Sequence, residues 1–220
     1  MSAPHPRPAA VLFDCDGVIV DSEPITDRVI AENLTRHGFP IAPHRVSELF
    51  IGGTIAGIAA HVRARGLDLP ASWVEDVYEE MFAALARGTP LVAGIVEVMA
   101  ALDRAGIPYA VGSNGPHRKM RVTLGQHPDL MSRLEGRLFS REDVARPKPA
   151  PDLYLHAALA LGAAPAACAV IEDSPTGIRA ARAAGMTCFG HAARTDPGRL
   201  AAAGAIPFAR MADLPGLIGL

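Results

Sequence analysis

Large aromatic side chains are scarce: one tryptophan, three tyrosines and seven phenylalanines make up 5% of 220 residues. Half of the residues are hydrophobic, so any core must be mostly aliphatic. Runs of Lys or Arg are absent and the formal net charge is −2, which excludes the basic footprint of a nucleic-acid binder. No stretch is apolar for long enough to span a membrane, and the proline-rich first eight residues carry no apolar signal core. The three cysteines, Cys15, Cys168 and Cys188, lie far apart without metal-ligand spacing. Two of them fall in predicted buried strands, and all three read as reduced, small apolar residues. These absences predict a cytoplasmic protein with neither nucleic acid nor membrane as partner. No internal repeat or low-complexity tract is present, and the length suits one large domain or one domain with a small insertion.

What is there begins with the apolar run 9–13, which fits a strand buried on both faces. It ends at Asp14-Cys15-Asp16-Gly17. Helical spacing then predicts helices over 23–37, 54–65 and about 74–85, the last on a stripe of Val74, Val77, Tyr78, Met81, Phe82 and Leu85. No strand signal occurs between about 21 and 89, so this segment reads as an inserted helical cap within a core of residues 1–20 and 90–220. Linkers are expected near 17–20 and 88–91. From residue 93 onward helix and strand alternate: helices over 93–105, 116–124, 151–161 and 175–185, strands over 107–111, 137–139, 167–171 and 186–189. Alternation of this kind predicts an α/β fold, a doubly wound, Rossmann-like parallel sheet with helices on both faces.

In such sheets ligands bind outside the carboxyl ends of the strands. The predicted strands end in Asp14 and Asp16, in Ser113-Asn114 and in Glu172-Asp173, and Lys148 lies in a loop between prolines. Two adjacent acids repel unless a cation, a shared proton or open water relieves them. Carboxylates suit Mg²⁺, and Mg²⁺ with a lysine, a hydroxyl and backbone N–H groups suits a phosphate. Each piece has a plainer alternative: a turn at Ser113-Asn114, a solvated loop lysine, a helix start at Glu172-Asp173. Together, at successive strand ends, they read as a pocket for Mg²⁺ and phosphate. Alternation turns Cys15 away from that pocket into packing, and His117 reads as a surface histidine.

DCDGVIVDSE (14–23), GSNG (112–115), RPKPAPD (146–152) and IEDSPTGI (171–178) resemble the four motifs of the haloacid dehalogenase-like superfamily, in its phosphatase and sugar-phosphate mutase branch with a small helical cap. The resemblance spans nearly the whole chain. It implies a sheet of order 5-4-1-2-3 and Mg²⁺-dependent hydrolysis through an aspartyl-phosphate. It makes Asp14 the nucleophile and Asp16 the proton donor and acceptor. Ser113, Asn114, Gly17 and Lys148 would hold phosphate, and Gly53 and Thr54 in the cap loop would contact substrate. Asp14, the backbone carbonyl of Asp16 and Asp173 would hold the metal, with Glu172 acting through a coordinated water.

The expected partner is a small phosphorylated molecule, for a monomer or small homo-oligomer. SNGPHRKM (113–120), followed by Leu124-Gly125, resembles a bacterial phosphatase of 6-phosphogluconate, and Arg45, Arg63 and Arg65 are cap cations that would suit a sugar acid. A dehalogenase has no need of a second acid at Asp16, and a binding module has no reason to keep Asp14, Asp16, Lys148 and Asp173 together. A β-phosphoglucomutase-type enzyme is the alternative. Mutases of the family place a histidine and an arginine where this chain has Thr26 and Ile55.

Overall fold

A computed structural model describes residues 5–50 and 54–220. The chain divides into two compact units, one running to Asp21 and resuming at Leu91–Leu220, the other Ser22–Pro90.

The first unit is built on parallel strands β1 (Ala10–Phe13), β2 (Tyr109–Ser113), β3 (Leu138–Ser140), β4 (Cys168–Glu172), β5 (Thr187–His191) and β6 (Ile206–Phe208), in the order β3-β2-β1-β4-β5-β6. The expected order 5-4-1-2-3 is contained in this, with β6 added beyond β5. Sequence patterning misses β6 because Pro207 interrupts it; a proline can occupy an edge strand, where one row of N–H groups has no ladder partner. β1 is buried along its whole length because alternate residues feed two cores. Val11 and Phe13 pack with Val98, Met99, Leu102 and Tyr109 on one face. Ala10 and Leu12 pack with Ala157, Ala158, Ala180 and Ala181 on the other, where small side chains let the helices approach closely. Cys15 belongs to the first of these cores, and Cys168 and Cys188 to the second. Residues 17–20, expected as a linker, are instead buried and internally bonded. Gly17 N–H donates to the Val20 carbonyl at 2.8 Å, and the Ile19 and Val20 amides donate to the Cys15 carbonyl. Val20 also bridges Leu91 in antiparallel fashion.

The second unit consists of helices α1 (Glu23–Arg36), α2 (Pro43–Phe50), α3 (Ile55–Arg63) and α4 (Trp73–Leu85), with no strand among the described residues. Its core joins Ile30, Leu34, Val46, Ile58, Val62, Trp73, Val77 and Met81. Buried Asn33 accepts from Trp73 Nε1 at 2.7 Å and donates to Glu80, which satisfies the polar groups of both partners. Helix α2 is not among the helices expected from the sequence; the structure places it over Pro43–Phe50. No helix among the described residues is long and apolar enough to cross a membrane.

The first unit's helices are α5 (Ile95–Ala105), α6 (His117–Leu124), α7 (Pro128–Arg133), α8 (Asp152–Ala160), α9 (Pro175–Ala183), α10 (Pro197–Ala202) and α11 (Leu214–Leu217).

Candidate active site

The carboxyl ends of β1, β2 and β4 bring the polar residues together. Asp14 follows β1 directly, and its amide still bonds the Ile171 carbonyl of β4, so the strand geometry fixes its side chain. Lys148, 6% exposed, donates from Nζ to Asp14 Oδ1 at 2.6 Å and to Glu172 Oε1 at 2.7 Å. The same ammonium lies 4.5 Å from the centroid of the Tyr154 ring, a cation–π distance. Tyr154 in turn donates its hydroxyl to Glu172 Oε1 at 2.8 Å.

Glu172 collects further donors on its other oxygen. The Asp173 and Ser174 amides and the Ser174 hydroxyl all reach Oε2 within 3.1 Å. These bonds and Lys148 explain why Glu172 titrates below the usual carboxylate range although burial pushes the other way. Asp14 shares the same ammonium yet moves oppositely: burial, with Glu172 and Asp16 nearby, pushes it up to about 7 against the pull of Lys148. The two shifts disagree because the donors are shared unequally; Glu172 has four besides Lys148.

Two glycines make room for these carboxylates. A Cβ on Gly17, whose φ is 75°, would come within 2.1 Å of Asp173 Oδ2. A Cβ on Gly177 would come within 1.5 Å of Glu172 Oε1. Neither position tolerates a side chain without displacing an acid.

Ser113, at the end of β2, is buried, and its hydroxyl accepts from the Gly115 amide at 2.9 Å. The Asn114 side chain is engaged structurally rather than offered whole to a ligand. Its amide donates to the Lys148 carbonyl and accepts from the Lys148 N–H, both at 3.0 Å, and so fixes the loop that carries the lysine. Asp16 is turned toward α6, where Lys119 Nζ meets its Oδ1 at 2.8 Å. Burial opposes the charge on Lys119, but the charge and hydrogen bond of Asp16 outweigh it and its pKa is raised. Thr54 caps α3, its hydroxyl accepting from the Gly57 amide, and Gly53 lies outside the described residues. Of the cap cations, Arg63 donates to the Leu69 and Pro70 carbonyls and Arg65 to the His61 carbonyl. Cys15 is buried and its thiol is pushed well up by burial and by the nearby acids, so it is no nucleophile. His117 Nε2 lies within hydrogen-bond distance of Asp143, 2.8 Å from its Oδ2, at the start of α6.

Lys119, Tyr154 and His191 are additions that periodicity does not expose. His191 Nδ1 donates to the Gly17 carbonyl at 3.0 Å and pins the turn after β1. Lys119 stands within the stretch resembling a sugar-acid phosphatase, but only the fold reveals its partner.

Oxygens of Asp14, Glu172 and Asp173 lie within 4.8 Å of one another. With Asp16, four carboxylates face two ammonium groups, an excess of two negative charges that fits a hard divalent cation. Glu172 already holds five donor contacts.

A family model described as haloacid dehalogenase-like hydrolase matches residues 8–185. Hexitol phosphatase A of Escherichia coli is 32% identical over 191 residues, 86% of this chain and 85% of that protein. The 6-phosphogluconate phosphatase of the same organism is 33% identical over 184 residues, 83% and 82% of the two chains. A solved hydrolase of Deinococcus radiodurans with bound phosphate and sodium superposes with a TM-score of 0.80 at 32% identity, covering 97% of this chain and 94% of that one.

Proposed function

The chain belongs to the haloacid dehalogenase-like hydrolases, and from that membership we propose that it hydrolyses a small phosphate monoester, a sugar or sugar-acid phosphate such as 6-phosphogluconate, through a phosphorylated Asp14. The observation that carries this reading is the buried Asp14–Lys148–Glu172 constellation beside Ser113 and Asp173 at the strand ends. The names of the two relatives supply the substrate class.

In this reading an Asp14 oxygen bonds to phosphorus as the ester oxygen leaves with a proton from Asp16. Water then attacks the acyl phosphate, gives its proton to Asp16, and inorganic phosphate departs. Lys148 neutralises charge at Asp14 and at the phosphate; the Ser113 hydroxyl and backbone N–H of the Asn114 loop orient its oxygens, while the Gly17 amide is held by the Val20 carbonyl. Asp14, the Asp16 carbonyl and Asp173 would hold Mg²⁺, with Glu172 behind a coordinated water. When bound, Mg²⁺ supplies positive charge for the phosphate oxygens. Residues 21–89 act as the cap, excluding water and selecting substrate, with residues 50–54 as the specificity loop.

Hydrolysis rather than phosphomutation is favoured by Thr26 and Ile55. Thr26 spends its hydroxyl on the Glu23 carbonyl, and Ile55 is packed into the core of its own unit. Neither can bind a sugar hydroxyl through charge. Incubation with 6-phosphogluconate, a hexitol phosphate and primed β-glucose 1-phosphate, each with Mg²⁺, tests this. Free phosphate should appear from at least one of the first two. Glucose 6-phosphate forming faster than free phosphate would restore the mutase.

Saturating Mg²⁺ binds only the folded protein and should raise its melting temperature; at about 100 times Kd the gain is about 2.7 kcal/mol. Asp173→Ala is expected to remove most of that rise in a thermal shift assay. An undiminished rise would show that Asp173 is not a ligand.

A further inference from the structure

Of the 21 lysines and arginines in the sequence, 19 are arginine and only Lys119 and Lys148 are lysine. Each of the two lysines is bonded to one of the two acids that follow β1: Lys148 to Asp14 at 2.6 Å, Lys119 to Asp16 at 2.8 Å. Every other permanently charged basic side chain of the sequence is the broad, planar guanidinium. At these two points the chain uses a compact ammonium, which fits where a fork does not and presents donors around a single atom.

The surroundings of Lys119 are shaped for it. It is the third residue of α6, and its side chain is 15% exposed against 24% for Asp16. Met120, Thr123 and Leu124 bury the inner face of the same helix, which fixes where the lysine's stem begins. The stem then passes Gly115: a Cβ there would lie 3.3 Å from Lys119 Cδ and 3.2 Å from Ser113 Oγ. Asp16 itself lies beyond the end of β1 and its ladder. A short carboxylate in a turn has several rotamers, and an enclosed ammonium at 2.8 Å selects among them.

We propose that Lys119 is a positioning residue for the hydrolytic half of the reaction, holding the Asp16 carboxylate where it receives the proton of the attacking water. The proposal rests on the aspartyl-phosphate reading above. In that step the water oxygen bonds to phosphorus, its proton passes to Asp16, and the bond from phosphorus to the Asp14 oxygen breaks. Asp14 returns as a carboxylate and inorganic phosphate leaves. Lys119 itself forms and breaks no covalent bond.

p-Nitrophenyl phosphate isolates this half-reaction, because nitrophenolate leaves without a proton and the first half then owes nothing to Asp16. Slowing only the breakdown of a covalent intermediate lowers kcat and KM together and leaves kcat/KM unchanged. For Lys119→Met, kcat and KM are therefore both expected to fall about 10- to 100-fold, within the usual range for a general acid or base, with kcat/KM within about 3-fold of wild type. Rapid mixing should show a burst of nitrophenolate equal to the enzyme concentration, and acid quenching should trap phosphate on the protein. Lys119→Arg, which keeps the charge, should recover part of kcat and shrink the burst. Lys119→Gln carries the same test if the methionine variant does not fold.

A raised KM at unchanged kcat would make Lys119 a ligand of the substrate instead. A lower kcat at constant KM without a burst would make it merely structural, and wild-type kinetics would make the ion pair incidental; each of these overturns the proposal. Wild-type enzyme that turns over the ester but never carries phosphate on Asp14 would overturn the aspartyl-phosphate reading itself, and this inference with it.

Discussion

Asp14→Asn is expected to abolish turnover and, in metal-free buffer at pH 8, to melt higher than wild type. The loss of turnover, on the order of 10³-fold or more, follows from removing the proposed nucleophile. The gain in stability follows from the raised pKa. Burial, aided by Glu172 and Asp16, lifts the Asp14 carboxyl from 3.8 to about 7 in the folded protein. Between these values the folded state holds a proton that the unfolded chain has lost, so stability falls as pH rises through that window, and the penalty is complete above pH 7. Asparagine never carries the charge, yet its Oδ1 can still accept from Lys148. The variant's advantage should be small near pH 4 and grow toward pH 8. A net gain of about 1–2 kcal/mol moves Tm by roughly 2–8 °C for a chain of this size. Differential scanning calorimetry in chelator at both pH values checks this; a variant less stable than wild type at pH 8 would contradict it.

Lys148→Met should act in the opposite direction. Methionine nearly matches the volume of the lysine stem but leaves Asp14 and Glu172 facing each other, both buried, with no ammonium between them. Removing one partner of a buried ion pair typically costs about 3–5 kcal/mol. Activity should be lost as well, and the melting temperature should drop by about 6–20 °C. Because the penalty comes from uncompensated charge, it should not be additive with that of Asp14: the double variant Asp14→Asn, Lys148→Met should melt above Lys148→Met alone. Equal melting temperatures for the single and double variants would place the cost in lost packing against Tyr154 instead.

Much of this site was legible in the sequence because its residues stand where strands end. An apolar run that stops at Asp14, or at Glu172-Asp173, shows both the strand and the edge at which the acids emerge. A loop lysine between prolines gains meaning once two such edges are known to be neighbours. What the sequence hides is partnership across elements. The pattern of α6 assigns Met120 and Leu124 to its inner face, but nothing in it indicates that Lys119 reaches Asp16. Tyr154 reads as one more core residue of α8, and only its hydroxyl, 2.8 Å from Glu172, sets it apart. Asn114 looks like a ligand-facing turn residue, yet its amide is engaged by the Lys148 backbone. His191 closes an apolar strand with no signal beyond being a histidine in a buried position. The sequence offers two clues to Lys119, its place in the stretch 113–120 and the scarcity of lysine, and neither names Asp16 as its partner. β6 escaped because Pro207 breaks its strand pattern.

The pairing of Val20 with Leu91, joined by the Val92 amide on the Ile19 carbonyl at 2.9 Å, has a consequence for the chain's modularity. The polypeptide leaves the sheet-bearing unit and re-enters it at adjoining points, so Ser22–Pro90 is a detour whose two ends are already stitched together. The entropy of closing such a loop grows only logarithmically with its length, so a long excursion costs little more than a short one. Excising the detour and sealing Asp21 to Leu91 with a short turn would leave every strand pairing of the sheet with its partner. Other excursions of very different size could be grafted at the same seam without re-registering β1. The fold thereby keeps the sheet and its strand-end acids on one scaffold, and leaves Ser22–Pro90 as an exchangeable cassette.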